Sequence, residues 1–68
     1  MARRGHYASA VTQIGDKLME AKELLSAATE AMVEERPGDA KTVLEQAEMV
    51  IHGAAILAKW AMLMKEAR

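Results

Sequence analysis

Residues 49–64, MVIHGAAILAKWAMLM, are apolar almost all the way round a helix, and only His52 and Lys59 interrupt them with polar side chains. A helix on the outside of a small monomer needs one apolar stripe facing the core. In a chain of 68 residues there is little other protein to cover the surplus. The stretch therefore concerns assembly: its extra apolar surface is expected to be buried against another chain, a partner or a lipid surface.

A chain this short is one small domain near the lower limit for independent folding. It has no cysteine, so neither disulfides nor thiolate metal sites can support it. Tyr7 and Trp60 are its only aromatic residues, and one proline and four glycines leave little room for strands and turns. Alanine, leucine and methionine favour helices, so the fold class is all-α. For so small a helical domain, oligomerisation is the common route to stability.

The net charge of −1 is unevenly spread. Residues 1–8 carry two arginines, residues 9–36 carry three basic and six acidic side chains, and residues 37–68 carry four of each. No broad basic surface follows, and general nucleic-acid affinity is not predicted. The two N-terminal arginines have no apolar core behind them, unlike a secretory signal. The 49–64 run is about four residues short of the ~20 needed to span a bilayer and contains Lys59. The expected location is the cytoplasm, with membrane-surface association the weaker alternative.

From Val11, apolar residues recur at three- and four-residue spacing: Val11, Ile14, Leu18, Ala21, Leu25, Ala28, Met32. This heptad seam predicts an amphipathic helix over about 9–35, with Leu24 and Ala31 widening it and Ser9 as its cap. The opposite face carries Asp16, Glu20, Glu23, Glu30 and Glu34. Residues 36–39, RPGD, form the one strong breaker, and Asp39 is placed to cap a second helix over about 40–67. The turn is short and the arms equal, which predicts an antiparallel hairpin. The second helix has its own seam of Ala40, Val43, Ala47, Val50, Ala54, Leu57, Ala61 and Met64. Beside it run Leu44, Ile51 and Ala58, and behind it Met49, Ile56 and Leu63. One narrow polar line remains, at Glu45, His52, Lys59 and Glu66.

The expected hairpin core is Val11, Ile14, Leu18, Leu25, Met32, Val43 and Val50. Met49, Ile56, Leu57, Trp60, Leu63 and Met64 are the expected oligomer interface. Two hairpins would then make a homodimeric four-helix bundle. Gly15 and Gly53 lie inside predicted helices at a cost of about 1 kcal/mol each relative to alanine. With the turn centred between Pro37 and Gly38, Gly15 comes level with Trp60, as though making room for the indole.

Chemistry is sparsely represented. Glu48 and His52 lie one turn apart and are weak metal candidates; a plain exposed helix pair explains them better. Arg3, Arg4 and Tyr7 form a short basic arm that could touch phosphate and stack on a base, although a solubilising end is the simpler reading. The methionines at helical spacing read as core filler before they read as an adaptable binding face. There is no Ser/His/Asp set, glycine-rich phosphate loop or paired inward carboxylate, so no enzymatic activity and no cofactor are expected. The leading functional reading is a helical oligomerisation or protein-interaction module, adaptor or accessory in kind. A small dimeric nucleic-acid-associated regulator using the arginine arm is the alternative.

Overall fold

In the computed structural model, the backbone is described for residues 2–66 and the side chains for residues 7–65. Two helices account for nearly all of it: α1, Ala2–Val33, and α2, Pro37–Glu66, packed antiparallel against each other. The all-helical hairpin expected from the sequence is present, and its dimensions show how thin it is. The chain measures 51 × 14 × 11 Å with a radius of gyration of 15.5 Å. A compact domain of this length would have a radius of gyration of about 11 Å. Each helix therefore has one neighbour along its length and no second layer.

Helix α1 begins at Ala2, not near Ser9, so the backbone of the expected N-terminal arm belongs to the helix. Ala2, Arg3, Arg4 and Ala8 are good helix formers, which explains the extension. Ser9 does not cap α1; its hydroxyl accepts a hydrogen bond from the Gln13 side-chain amide at 3.1 Å, one turn on.

The turn is tighter than its sequence suggests. The amide of Arg36 donates to the carbonyl of Ala31 at 2.8 Å, and that of Glu35 to Met32 at 3.0 Å. This pair of bonds is a Schellman motif, which satisfies carbonyls left open at a helix end. Its left-handed residue is Glu35, with φ of 59°, whereas no described glycine has positive φ. Pro37 opens α2, where its missing N–H costs nothing, and the amide of Ala40 already donates to the Arg36 carbonyl. Gly38 and Asp39 thus lie inside the first turn of α2 rather than in the loop. Asp39 does not occupy the capping position before the helix; its negative charge instead favours the positive end of the helix. Arg36 bridges Glu34 and Asp39, reaching Asp39 Oδ2 at 2.7 Å. The hydrogen bond to Glu34, followed by that to Asp39, raises the Arg36 guanidinium above its ordinary value. These pairs are exposed and fix local geometry more than they stabilise the fold.

A left-handed glutamate is costly where glycine is not, at about 1–2 kcal/mol for a side chain bearing Cβ. We expect Glu35→Gly to stabilise the chain by roughly 1 kcal/mol after the added freedom of the unfolded chain is subtracted. A thermal melt followed by circular dichroism checks this; an unchanged or lower Tm would show the turn to be unstrained.

The seam between the helices consists of alanine. Ala10, Ala21, Ala28 and Ala31 of α1 and Ala40, Ala47, Ala54 and Ala61 of α2 are buried, and no large side chain among the described residues is fully buried. Ala28, Ala31 and Ala40 form one cluster with Val43 packed against it, a register that sets position 31 against 40 and 28 against 43. Methyl groups at these points let the two backbones approach closely. The α2 seam runs through the positions expected from its periodicity, with Val43, Val50, Leu57 and Met64 half-buried between the alanines.

The α1 seam is rotated by one residue at every second position. Ile14 is half-buried in it, but Val11, Leu18, Leu25 and Met32 are exposed and do not form the hairpin core. The seam instead uses Ala10, Lys17, Leu24 and Ala31, with Ile14, Ala21 and Ala28 common to both readings. The physical reason is the close contact: alanine fits where the helices nearly touch, and leucine or methionine would hold them apart.

Candidate interaction surfaces

The two edges of the seam differ in chemistry. On one edge, α1 presents Val11, Leu18, Leu25 and Met32 at seven-residue spacing, and α2 presents Leu44, Ile51 and Ala58 at the same spacing. Leu18 is 53% exposed and Leu25 44%, so half of each side chain faces solvent. Between them lies a shallow open hollow of about 450 Å³, bounded by Leu18, Ala21, Lys22, Leu25, Ser26, Thr29 and Ile51. Leu18, Leu25 and Ile51 therefore share one surface across both helices.

The other edge is polar. It carries Gln13, Glu20 and Ala27 from α1, Glu34 just beyond it and Gln46 from α2, with Trp60 farther along. Lys17 stands in the seam itself, half-buried, and leans to this side. A methyl group added at Gly53 would meet Lys17 Cε at 3.5 Å and its Nζ at 3.6 Å. These are ordinary van der Waals distances that an alanine would also satisfy, and the lysine stem covers apolar surface beside Gly53. A lone lysine at a seam position lowers stability and restricts the packings open to the helices.

This arrangement replaces the expected pairing of Gly15 with Trp60. Nothing lies within 4 Å of a methyl group built on Gly15, and Trp60 is 58% exposed. The observed register brings Trp60 level with Val11, because the turn is centred between Glu35 and Arg36 rather than beyond Pro37.

Of the expected oligomer-interface residues, Met49, Ile56, Trp60 and Leu63 are exposed on α2, whereas Leu57 and Met64 are half-buried in the hairpin seam. Met49, Ile56 and Leu63 make a separate ridge on the far side of α2, with Met49 76% exposed. Glu45, His52 and Lys59 form the polar line between that ridge and the outer flank. On α1, Asp16, Glu20, Glu23 and Glu30 are exposed and make no ion pair among the described side chains, while Glu34 pairs with Arg36. Glu48 and His52 are exposed, and among the described residues no third His, Cys, Asp or Glu joins them in a group able to hold a metal. The side chains of Arg3 and Arg4 lie outside the described residues, and Tyr7 is exposed.

The whole chain exposes 5398 Å². A compact monomer of 7.4 kDa would expose about 4,200 Å², some 1,200 Å² less. Helix α2 is also long and apolar enough to cross a bilayer by length and composition: an 18-residue window within residues 37–65 has mean hydropathy 1.3 and is 17% buried. No protein-family model, characterised protein or solved structure matches this chain.

Proposed function

We propose that this chain is a non-catalytic assembly module: a helical hairpin that pairs with a second copy into a four-helix bundle, whose outer surface engages another protein. One observation carries this reading. The buried apolar residues are all alanines, while Leu18, Leu25, Ile51, Ile56, Trp60 and other large apolar side chains are exposed. That distribution inverts the usual one, in which large apolar residues fill the interior. A buried methyl contributes about 0.8 kcal/mol, whereas burying a leucine, isoleucine or methionine contributes about 1.5–3 kcal/mol. Most of the chain's capacity for apolar burial is therefore unused within one hairpin.

The apolar span of α2 favours a second reading, in which the protein associates with lipid. A transmembrane position fits the hairpin poorly. Helix α1 packs along α2 and would carry Asp16, Lys17, Glu20, Lys22 and Glu23 into the bilayer. Each charge at mid-depth costs about 2.5–3.5 kcal/mol on insertion scales. A nucleic-acid role draws no support from the described surface of α1, whose exposed charges are mainly acidic.

The test is the mass in solution. Light scattering at micromolar concentration is expected to give about twice the chain mass of 7.4 kDa. A folded, soluble monomer under those conditions would refute the assembly reading. Failure to float with lipid vesicles is expected; co-flotation would instead favour the lipid reading.

A further inference from the structure

We infer that a second copy of this chain docks on the edge formed by Val11, Leu18 and Leu25 of α1 with Leu44 and Ile51 of α2, in one particular orientation: α1 lies over the α2 of the other copy, and both turns point the same way. This rests on the self-association proposed above and specifies its face and geometry.

Surface area is sufficient for it. The excess of about 1,200 Å² per chain exceeds the ~800 Å² that each partner contributes to a stable interface. The choice of edge follows from charge. Covering the opposite edge would strip water from the Lys17 ammonium and from Glu20 and Glu34, and removing charges from water without good partners is costly. The apolar edge carries one charged residue, the exposed Lys22 at the outer wall of its hollow, whose ammonium can stay at the rim while the space beside Leu18, Leu25 and Ile51 receives an aliphatic side chain. Beyond its apolar row, α1 carries Ala8, Gly15, Lys22 and Thr29, two of them small enough for close approach of another helix.

Orientation follows from the next row outward on α2: Lys41, Glu48, Ala55 and Met62. A twofold axis parallel to the hairpin keeps the axial levels of the single chain. The observed register then brings Lys22 within one residue, about 1.5 Å along the axis, of the level of Glu48 of the other copy. With the same one-residue offset Gly15 lies beside Ala55 and Ala8 beside Met62, small against small and small against large. A twofold axis across the hairpin would set α1 on α1 and α2 on α2, and would not bring Lys22 to Glu48. Charge complementarity thus selects the first arrangement, and symmetry makes the Lys22–Glu48 pair twice.

Sedimentation equilibrium on the full chain tests this with charge-swap variants, because both residues are exposed and neither supports the hairpin. Lys22→Glu and Glu48→Lys are each expected to weaken dimerisation about five- to tenfold, and the double variant to return close to wild type. A companion pair uses the apolar faces: Leu18→Glu should dissociate the dimer, and Ile56→Glu should leave it intact. Two patterns overturn the inference while the assembly reading stands. One is a wild-type dimer with additive charge swaps. The other is a dimer that tolerates Leu18→Glu but is lost with Ile56→Glu, which would move the interface to the far ridge of α2. A monomeric wild type would instead refute the assembly reading itself.

Discussion

Ala40→Leu is expected to lower the melting temperature by about 10–20 °C, and Ala61→Leu to lower it far less. Ala40 is 1% exposed, the most buried of the seam residues, and packs with Ala28 and Ala31 a few residues from the turn. The Schellman bonds from Arg36 to Ala31 and from Glu35 to Met32, with the bond from Ala40 to Arg36, fix the short turn that joins the two helix ends there. The backbones cannot separate at Ala40 without breaking those bonds. A leucine would have to twist off its preferred rotamers or open the turn, and overpacking of this kind costs about 1–3 kcal/mol. For a domain of this size each kcal/mol moves Tm by about 4–8 °C. Ala61 lies at the open end, where the arms can splay to accept a larger side chain. The measurement is a pair of thermal melts by circular dichroism at matched concentration. Equal losses at both sites would mean that the turn does not set the helix spacing. No loss at Ala40 would mean that close alanine packing is not what holds the hairpin.

The fold was legible to different depths in its two helices. The α2 seam was readable because alanines and larger apolar residues alternate along it at three- and four-residue spacing, from Ala40 to Met64, with no polar residue among them. In α1, two seams share Ile14, Ala21 and Ala28, and periodicity alone cannot separate them. The larger residues Val11, Leu18, Leu25 and Met32 attract the reading, while the actual contact uses Ala10, Leu24 and Ala31 and tolerates Lys17. A helix destined for a bundle carries apolar residues in a third row beside its two seam rows, so the most hydrophobic line need not face the nearest neighbour. The turn was visible as a turn, but its left-handed residue was not. Proline preset the start of α2 and drew Gly38 into the helix, leaving Glu35 to take the strained conformation. That Gly53 faces the Lys17 stem became visible only in the fold, since the lysine comes from the other helix. The apolar edge with its hollow had no signature of its own, being the part of the α1 stripe left over once the contact with α2 is fixed.

The second large effect is on concentration. Raising the chain from about 1 µM to about 100 µM should raise Tm by roughly 5–10 °C, because a hundredfold change in concentration shifts a dimerisation-linked equilibrium by about 2.7 kcal/mol per dimer, half of that per chain. The reason lies in the division of contacts. Within one chain the helices meet through methyl groups of eight alanines and half-buried Ile14, Leu24, Val43, Val50, Leu57 and Met64. The larger apolar residues at the edge, on α1 and α2 alike, gain little until another surface covers them. Folding and association are then linked, and the unfolded chain competes with the dimer rather than with a stable hairpin. The effect depends on self-association alone and is indifferent to which face is used, so it separates the two proposals. A melting temperature independent of concentration across that range, with the cooperative unfolding of a single species, would show that the alanine seam holds the hairpin unaided. The exposed leucines and isoleucines would then have to be explained by a partner other than this chain.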